Sequence, residues 1–266
     1  MDLGLRDRVY IVTGGTAGLG LATARTLVAD GAKVVVSSRN QESVDRAVNE
    51  LGENALGVVA DNADVTTPDR LVAAALDTFG RLDGALISVG GPAAGGTMDT
   101  TEDQWRAAVD SVLLGSVRLA RTVAAALGGV ELGGVELGGV ELGGGGSIAF
   151  VLSTSVKAPI PGLAISNALR PGLAMFAKTM ADELGPQGIR VNGLLPGRID
   201  TDRVRWLDDQ SADPAATRRK HESTIPLRRY GTPDEFGAAA AFLLSPAAGF
   251  LTGVMLPVDG GLTRSL

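Results

Sequence analysis

Short runs of contiguous apolar residues alternate along this chain with longer stretches in which apolar positions recur every three or four residues. The short runs, at 8–13, 33–37, 56–60, 84–88, 147–152, 189–194 and 254–257, are rich in Val, Ile and Leu and mostly lack in/out alternation, which predicts strands buried on both faces. Helical periodicity covers roughly 18–30, 41–51, 67–79, 101–127, 162–184 and 233–244. Helices interleaved with buried strands predict α/β architecture: a Rossmann-like, doubly wound parallel sheet in a three-layer α/β/α single domain spanning 1–266. Thr67-Pro68 and Thr232-Pro233 mark helix starts, because a capping hydroxyl there precedes a proline suited to the first turn. Pro171-Gly172 works against the 162–184 helix, since an internal proline deletes a backbone donor and its ring clashes with the preceding turn; a kink, or a helix that begins nearby, is expected.

One segment departs from the pattern. Gly128-Gly129-Val130-Glu131-Leu132 recurs at 133–137 and 138–142 and runs into Gly143-Gly144-Gly145-Gly146. A period of five suits neither helix nor strand, and the glycines make ordering entropically costly, so 128–146 is expected to be a mobile insertion between a long helix and the fifth strand.

The first strand-to-helix junction carries the sharpest signal. Thr13-Gly14-Gly15-Thr16-Ala17-Gly18-Leu19-Gly20 follows Val9-Tyr10-Ile11-Val12 and opens a helix. Glycines at such a junction permit a tight turn and a close backbone approach, and the unpaired N–H groups of the helix start face an anion such as a dinucleotide pyrophosphate. The spacing Gly14-x-x-x-Gly18-x-Gly20 fits the dinucleotide context but not the G-x-G-x-x-G lettering. Gly14, Thr16, Gly18, Leu19 and Gly20 are the expected phosphate-side residues. The second strand ends Ser37-Ser38-Arg39-Asn40, with no carboxylate for an NAD ribose and a guanidinium that can pair with a 2′-phosphate, so Ser38 and Arg39 predict NADP(H) over NAD(H). Asp61 and Asn62, which end the third strand, are candidates for the adenine side.

Composition narrows the partners. The chain has 266 residues, no Cys and a net charge of −6, which excludes a disulfide framework and a Cys-ligated metal and argues against nucleic acid or an anionic membrane as a partner. No apolar run approaches the ~20 residues of a membrane span, and Asp2, Arg6, Asp7 and Arg8 interrupt any signal-peptide pattern, so a cytoplasmic location is expected.

The order of these motifs resembles the short-chain dehydrogenase/reductase family over nearly the whole chain. The likeness rests on the glycine turn, Asp61, Gly90-Gly91, Ser153, Gly188-Ile189-Arg190-Val191-Asn192, Pro196-Gly197-x-x-x-Thr201 and Thr252-Gly253-x-x-x-x-Val258-Asp259-Gly260-Gly261. The resemblance implies that Gly90, Pro196, Gly197, Ile199 and Thr201 lie on the nicotinamide side. It further implies a substrate lid at 200–225, a small-molecule carbonyl substrate and a homo-oligomer, tetramer or dimer. The family's reaction uses a serine, a tyrosine, a lysine four residues after the tyrosine, and an asparagine on the preceding long helix. Matching positions here hold Ser153, Ser166, Arg170 and Val112, so only the serine is retained. Ser153, Ser166 and Arg170 are the catalytic candidates. Serine is a far weaker acid than tyrosine and arginine does not release its proton, so Arg170 can hold a ribose or stabilise an oxyanion but cannot relay a proton. His221, Lys157 or a water held by Ser153 and Ser166 are alternative proton sources, while Tyr10 and Tyr230 read as structural. Met98, Trp206 and Ile225 suggest a partly apolar pocket. The implied reaction is NADP(H)-dependent reduction of a ketone or enone; a non-redox cyclase, isomerase or lyase and a catalytically silent NADP-binding protein are the competing readings.

Overall fold

The computed structural model describes residues 2–128 and 145–265. Most of the glycine-rich repeat therefore lies outside the described residues. Seven strands form one parallel sheet: β1 (Val9–Thr13), β2 (Lys33–Ser38), β3 (Ala55–Val59), β4 (Gly84–Ile87), β5 (Gly146–Val151), β6 (Ile189–Pro196) and β7 (Met255–Val258), in the order β3-β2-β1-β4-β5-β6-β7. Val12 of β1 stands opposite Val36 of β2 on one side and Leu86 of β4 on the other. The strand order reverses between β1 and β4, which opens a crevice at the carboxyl ends of these two parallel strands, where open α/β sheets bind ligands.

Alternation within the buried strands separates two cores. Val9 and Ile11 face the layer of α3 (Thr67–Phe79), α5 (Gly115–Gly128) and α6 (Ala164–Leu184), while Tyr10 and Val12 face α1 (Gly18–Ala29), α2 (Gln41–Leu51) and α9 (Pro233–Leu244). The sheet edges are less buried than the sequence pattern implies: every residue of β3 is half-buried, and β7 exposes Pro257. Edge strands lack a neighbour on one side, so apolarity alone does not enclose them.

Four local features depart from the sequence reading. Thr67 does not cap α3; Thr66 occupies that position without a side-chain bond, and the Thr67 hydroxyl instead donates to the Asp61 carbonyl at 2.6 Å, tying α3 to the turn after β3. Thr232 does cap α9, in a reciprocal capping box with Glu235. The expected 101–127 helix is divided into α4 (Glu102–Ala108), a π-helical stretch Val109–Leu114 holding the buried Val112, and α5. From Glu102 to Gly128 the chain is long and apolar enough by length and composition to cross a membrane, contrary to the sequence expectation; 56% of its most apolar window is buried inside the fold, and α5 packs on α3 and β4. Finally, α6 runs through Pro171 rather than starting after it. Packing carries the helix across the lost bond: Ile165, Leu169, Leu173, Ala174 and Ala177 are buried on either side of the proline.

Candidate functional site

A cavity of about 590 Å³ opens at the β1/β4 crevice. Its floor is the first turn. Gly14 has φ of +59°, and a Cβ there would stand 2.9 Å from the Ser88 carbonyl oxygen; a Cβ on Gly20 would come within 2.3 Å of the Gly14 carbonyl. The turn and the first residues of α1 therefore pack backbone to backbone, which only glycine allows. Thr13 locks this floor to β4, donating its hydroxyl to the Ser88 carbonyl and accepting from the Ser88 N–H, both at 2.9 Å. Ala17 precedes α1 with no side-chain cap, and its first turn contains no acidic residue, so the N–H groups of Gly18, Leu19 and Gly20 remain available to an anion. These backbone features fit a dinucleotide pyrophosphate.

The catalytic candidates meet in the same cavity. Ser153 follows β5, and its Oγ accepts from the Ser155 N–H at 3.0 Å, which leaves the hydroxyl hydrogen free to donate. Ser166 and Arg170 lie one turn apart on one face of α6, both buried and both on the cavity wall. Arg170 donates to the carbonyls of Val151 at 2.7 Å and Val89 at 3.1 Å, so its guanidinium joins the ends of β5 and β4. Burial lowers its pKa to about 10, which leaves it a cation at neutral pH.

Gly90, Pro196, Gly197, Ile199 and Thr201 form further wall. A Cβ on Gly197 would meet the Asp259 Cβ at 2.7 Å, so this turn too depends on glycine, and the Thr201 hydroxyl accepts from the Val204 N–H to start α7 (Asp202–Asp209). Thr16, Ser38, Arg39, Asp61 and Asn62 are not part of this wall. They sit on the first turn and at the carboxyl ends of β2 and β3. Arg39 is exposed and has no acceptor among the described residues; the Asp61 Oδ1 accepts from the Ala63 N–H at 3.0 Å, and a Cβ on Gly115 would meet the Asn62 carbonyl at 2.2 Å.

The 200–225 segment, read as a lid without assigned elements, contains α7 and α8 (Pro214–Thr224). Their residues are mostly polar and exposed, so apolar periodicity could not reveal them. The cavity takes Arg203, Val204, Leu207, His221 and Thr224 from this segment, and Ile160, Pro161 and Leu163 from the loop before α6. None of Met98, Trp206 and Ile225 lines it: Met98 is 93% exposed, Trp206 is 47% exposed and Ile225 is turned into the core. Lys157 is exposed and away from the wall.

His221 does reach the cavity, yet its proton chemistry is constrained. Arg198 Nη2 lies 2.9 Å from His221 Nε2. The buried Asp208 accepts from Arg198 at 3.1 Å and from the Tyr230 hydroxyl at 2.9 Å. Tyr10 likewise turns its hydroxyl inward, toward the Leu244 carbonyl. Burial and hydrogen bonding to Asp208 push the Tyr230 pKa well above its ordinary value.

A larger cavity, of about 690 Å³, lies at the amino ends of the strands and contains none of the candidate residues. Its charged groups are engaged within the protein: Asp83 pairs with Arg8 and Arg81, and Arg190 donates to the carbonyls of Leu243, Leu244, Ser245 and Leu251.

A family model described as "Enoyl-(Acyl carrier protein) reductase" matches residues 14–263. The chain belongs to the short-chain dehydrogenase/reductase family. Human "Dehydrogenase/reductase SDR family member 4" is 34% identical over 269 residues, covering 98% of this chain and 90% of that protein. Among solved structures, L-sorbose reductase from Gluconobacter frateurii, complexed with NADPH and L-sorbose, superposes with a TM-score of 0.89 at 27% identity over 100% of both chains. Levodione reductase gives a TM-score of 0.89 at 28% identity, covering 98% of this chain and 99% of that one. These relatives and structures are reductases or dehydrogenase/reductases, and the seven-stranded sheet of this chain is the Rossmann-like fold of those structures.

Proposed function

We propose that this protein is an NADP(H)-dependent oxidoreductase that reduces the carbonyl of a ketone or enone, with Ser153, Ser166 and Arg170 as the catalytic residues. The observation that carries the reading is the convergence of those three side chains with the glycine floor in one cavity. Gly14, Thr16, Gly18, Leu19 and Gly20 hold the pyrophosphate end, with Ser38 and Arg39 at the adenosine ribose, Asp61 and Asn62 at the adenine, and Gly90, Pro196, Gly197, Ile199 and Thr201 at the nicotinamide. NADPH, when bound, supplies the hydride.

The chain's own groups act on the substrate oxygen. Ser153 has a hydroxyl hydrogen to donate, and Ser166 offers a second hydroxyl one turn from Arg170. The Arg170 cation is held by two carbonyl dipoles and, among the described residues, by no carboxylate, so its charge is not neutralised by them and stabilises negative charge that develops on the oxygen. It remains protonated throughout. Ser166 and Arg170 stand where the family's tyrosine and lysine are expected, so the proton comes from water held by the serine hydroxyls, and the hydroxide left behind is reprotonated by bulk solvent.

One observation favours a second reading. Apart from exposed Asp202, the titratable groups on the described wall are Arg170, Arg198, Arg203 and His221, and His221 has its Nε2 against Arg198. A wall poor in proton donors also suits a non-redox cyclase, isomerase or lyase that polarises a carbonyl and keeps the cofactor as scaffold; a silent NADP-binding protein is the limiting case. The substrate in either case is a small molecule, and a cytoplasmic homo-oligomer, tetramer or dimer, is part of the same proposal.

The test is NADPH consumption against a panel of ketones and enones, with titration of NADPH and NADH into the parent protein and Arg39→Ala. Tight NADPH binding with substrate-dependent oxidation is expected, with the NADPH preference reduced in Arg39→Ala. Binding without oxidation on any substrate favours the non-redox reading.

A further inference from the structure

We infer that Arg203 is a strap across the mouth of the cofactor cleft, closing over the bound dinucleotide and slowing its release; this rests on the cofactor reading above. Two segments form the rim of the cavity, residues 90–92 after β4 and the start of α7, and the glycine turn lies between them on the floor. Arg203 joins the two rims. Its Nη2 donates to the Pro92 carbonyl at 2.9 Å, and its guanidinium carbon lies 4.8 Å from the centre of the Trp206 ring, a cation–π distance. A Cβ on Gly91 would stand 3.3 Å from the Arg203 Nε, so the guanidinium lies close against this loop.

Its exposure puts the side chain on the outer side of the cavity rather than deep in it. Three neighbouring arginines have carboxylate partners: Arg198 pairs with Asp208, Arg205 with Asp200 and Asp202, and Arg218 with Asp200 and Glu222, while the exposed Arg219 lies off the cavity wall. Arg203 has none among the described residues. A carbonyl and an indole face hold it, partners that position a guanidinium without cancelling its charge. A dinucleotide reaching the floor passes between the two rims, so the Arg203–Pro92 bond opens on entry and re-forms behind the ligand. Two contacts from one solvent-facing side chain are weak enough to break on each exchange and strong enough to bias the closed arrangement.

Stopped-flow NADPH fluorescence on the full chain separates association from release. In Arg203→Ala the release rate is expected to rise about tenfold, the scale of one charged hydrogen bond, while the association rate does not fall. Arg203→Lys keeps the charge but loses the planar stack, and is expected to fall between the two. Arg205→Ala, on the same helix but off the wall, is expected to release NADPH as the parent does. Unchanged release in Arg203→Ala overturns the strap, as does slower association with unchanged release, which would make Arg203 a steering charge. If the parent binds neither NADPH nor NADH, the cofactor reading itself fails, and the strap with it.

Discussion

Arg198 and His221 meet through Nη2 and Nε2 at 2.9 Å, and because a guanidinium has no lone pair to offer, the imidazole nitrogen must accept. His221 is therefore neutral with its proton on Nδ1. That excludes it as an acid or base through Nε2 while the contact stands, and burial followed by the Arg198 charge holds its pKa below the ordinary 6.5. A base whose folded pKa is lowered binds fewer protons than the unfolded chain, so its contribution to stability is complete above the ordinary value and is lost as pH falls. Asp208 opposes this and Lys220 adds to it, without changing the direction. The melting temperature of the parent is expected to drop between about pH 7 and pH 5 more steeply than that of His221→Gln, whose amide oxygen can still accept from Arg198. Parallel curves for the two proteins would remove His221 from this role.

Arg170 combines a structural and an electrostatic duty that separate on substitution. Arg170→Met removes the donors to the Val151 and Val89 carbonyls and leaves two inward-facing acceptors without partners, a loss of about 2–4 kcal/mol in denaturant unfolding. Arg170→Lys retains a cation but cannot fork to both carbonyls, and is expected to lose about half as much stability. If the charge acts on the substrate oxygen, turnover falls further in Arg170→Met than in Arg170→Lys at temperatures where both remain folded. Equal turnover in the two would show that the cation has no part in the chemistry.

The fold was legible because the strands are enclosed. Contiguous apolar runs such as Val34-Val35-Val36 can only be central strands, and the structure returns them with nearly the same bounds. Residues whose importance comes from backbone approach were legible as well, since Gly14, Gly20 and Gly197 sit where a Cβ would collide with neighbouring atoms. What local pattern could not reveal is direction and partnership. Ile225 and Trp206 are both apolar lid residues, yet one is buried in the core and the other stacks beneath Arg203 on the surface. The Asp208 cluster joins Arg198, Tyr230 and His221 from separate segments, and no spacing rule connects them. Hydroxyls are ambiguous for the same reason: Thr232 caps its helix, whereas Thr67, also before a proline, bonds back to Asp61.

Thr13 and Ser88 tie the floor of the cavity to β4 through a pair of reciprocal bonds, so Thr13→Val is expected to cost about 1–2 kcal/mol while preserving the shape of the side chain. Thr13→Ser retains the hydroxyl and should recover most of it. Because Gly14 packs against the Ser88 carbonyl that accepts one of these bonds, the valine variant is also expected to bind NADPH more weakly than the parent. Fluorescence titration beside urea unfolding checks both effects; weaker folding with unchanged affinity would confine Thr13 to stability.

Gly20 gives the sharpest separation between folding and binding. Its Cβ would lie 2.3 Å from the Gly14 carbonyl, too close for any side chain, so Gly20→Ala must push the turn away from the start of α1. Gly52, by contrast, has a positive φ but open space around it at a surface turn far from the cavity, so Gly52→Ala strains only its own backbone. Both variants are expected to be destabilised, by about 1 kcal/mol for Gly52→Ala. Only Gly20→Ala is expected to lose dinucleotide binding by more than about tenfold, because it alone displaces the N–H groups that face the phosphates. Calorimetric titration of NADPH into the two proteins, at a temperature where each is folded, decides the matter: equal affinities would mean that the glycine turn does not hold the cofactor.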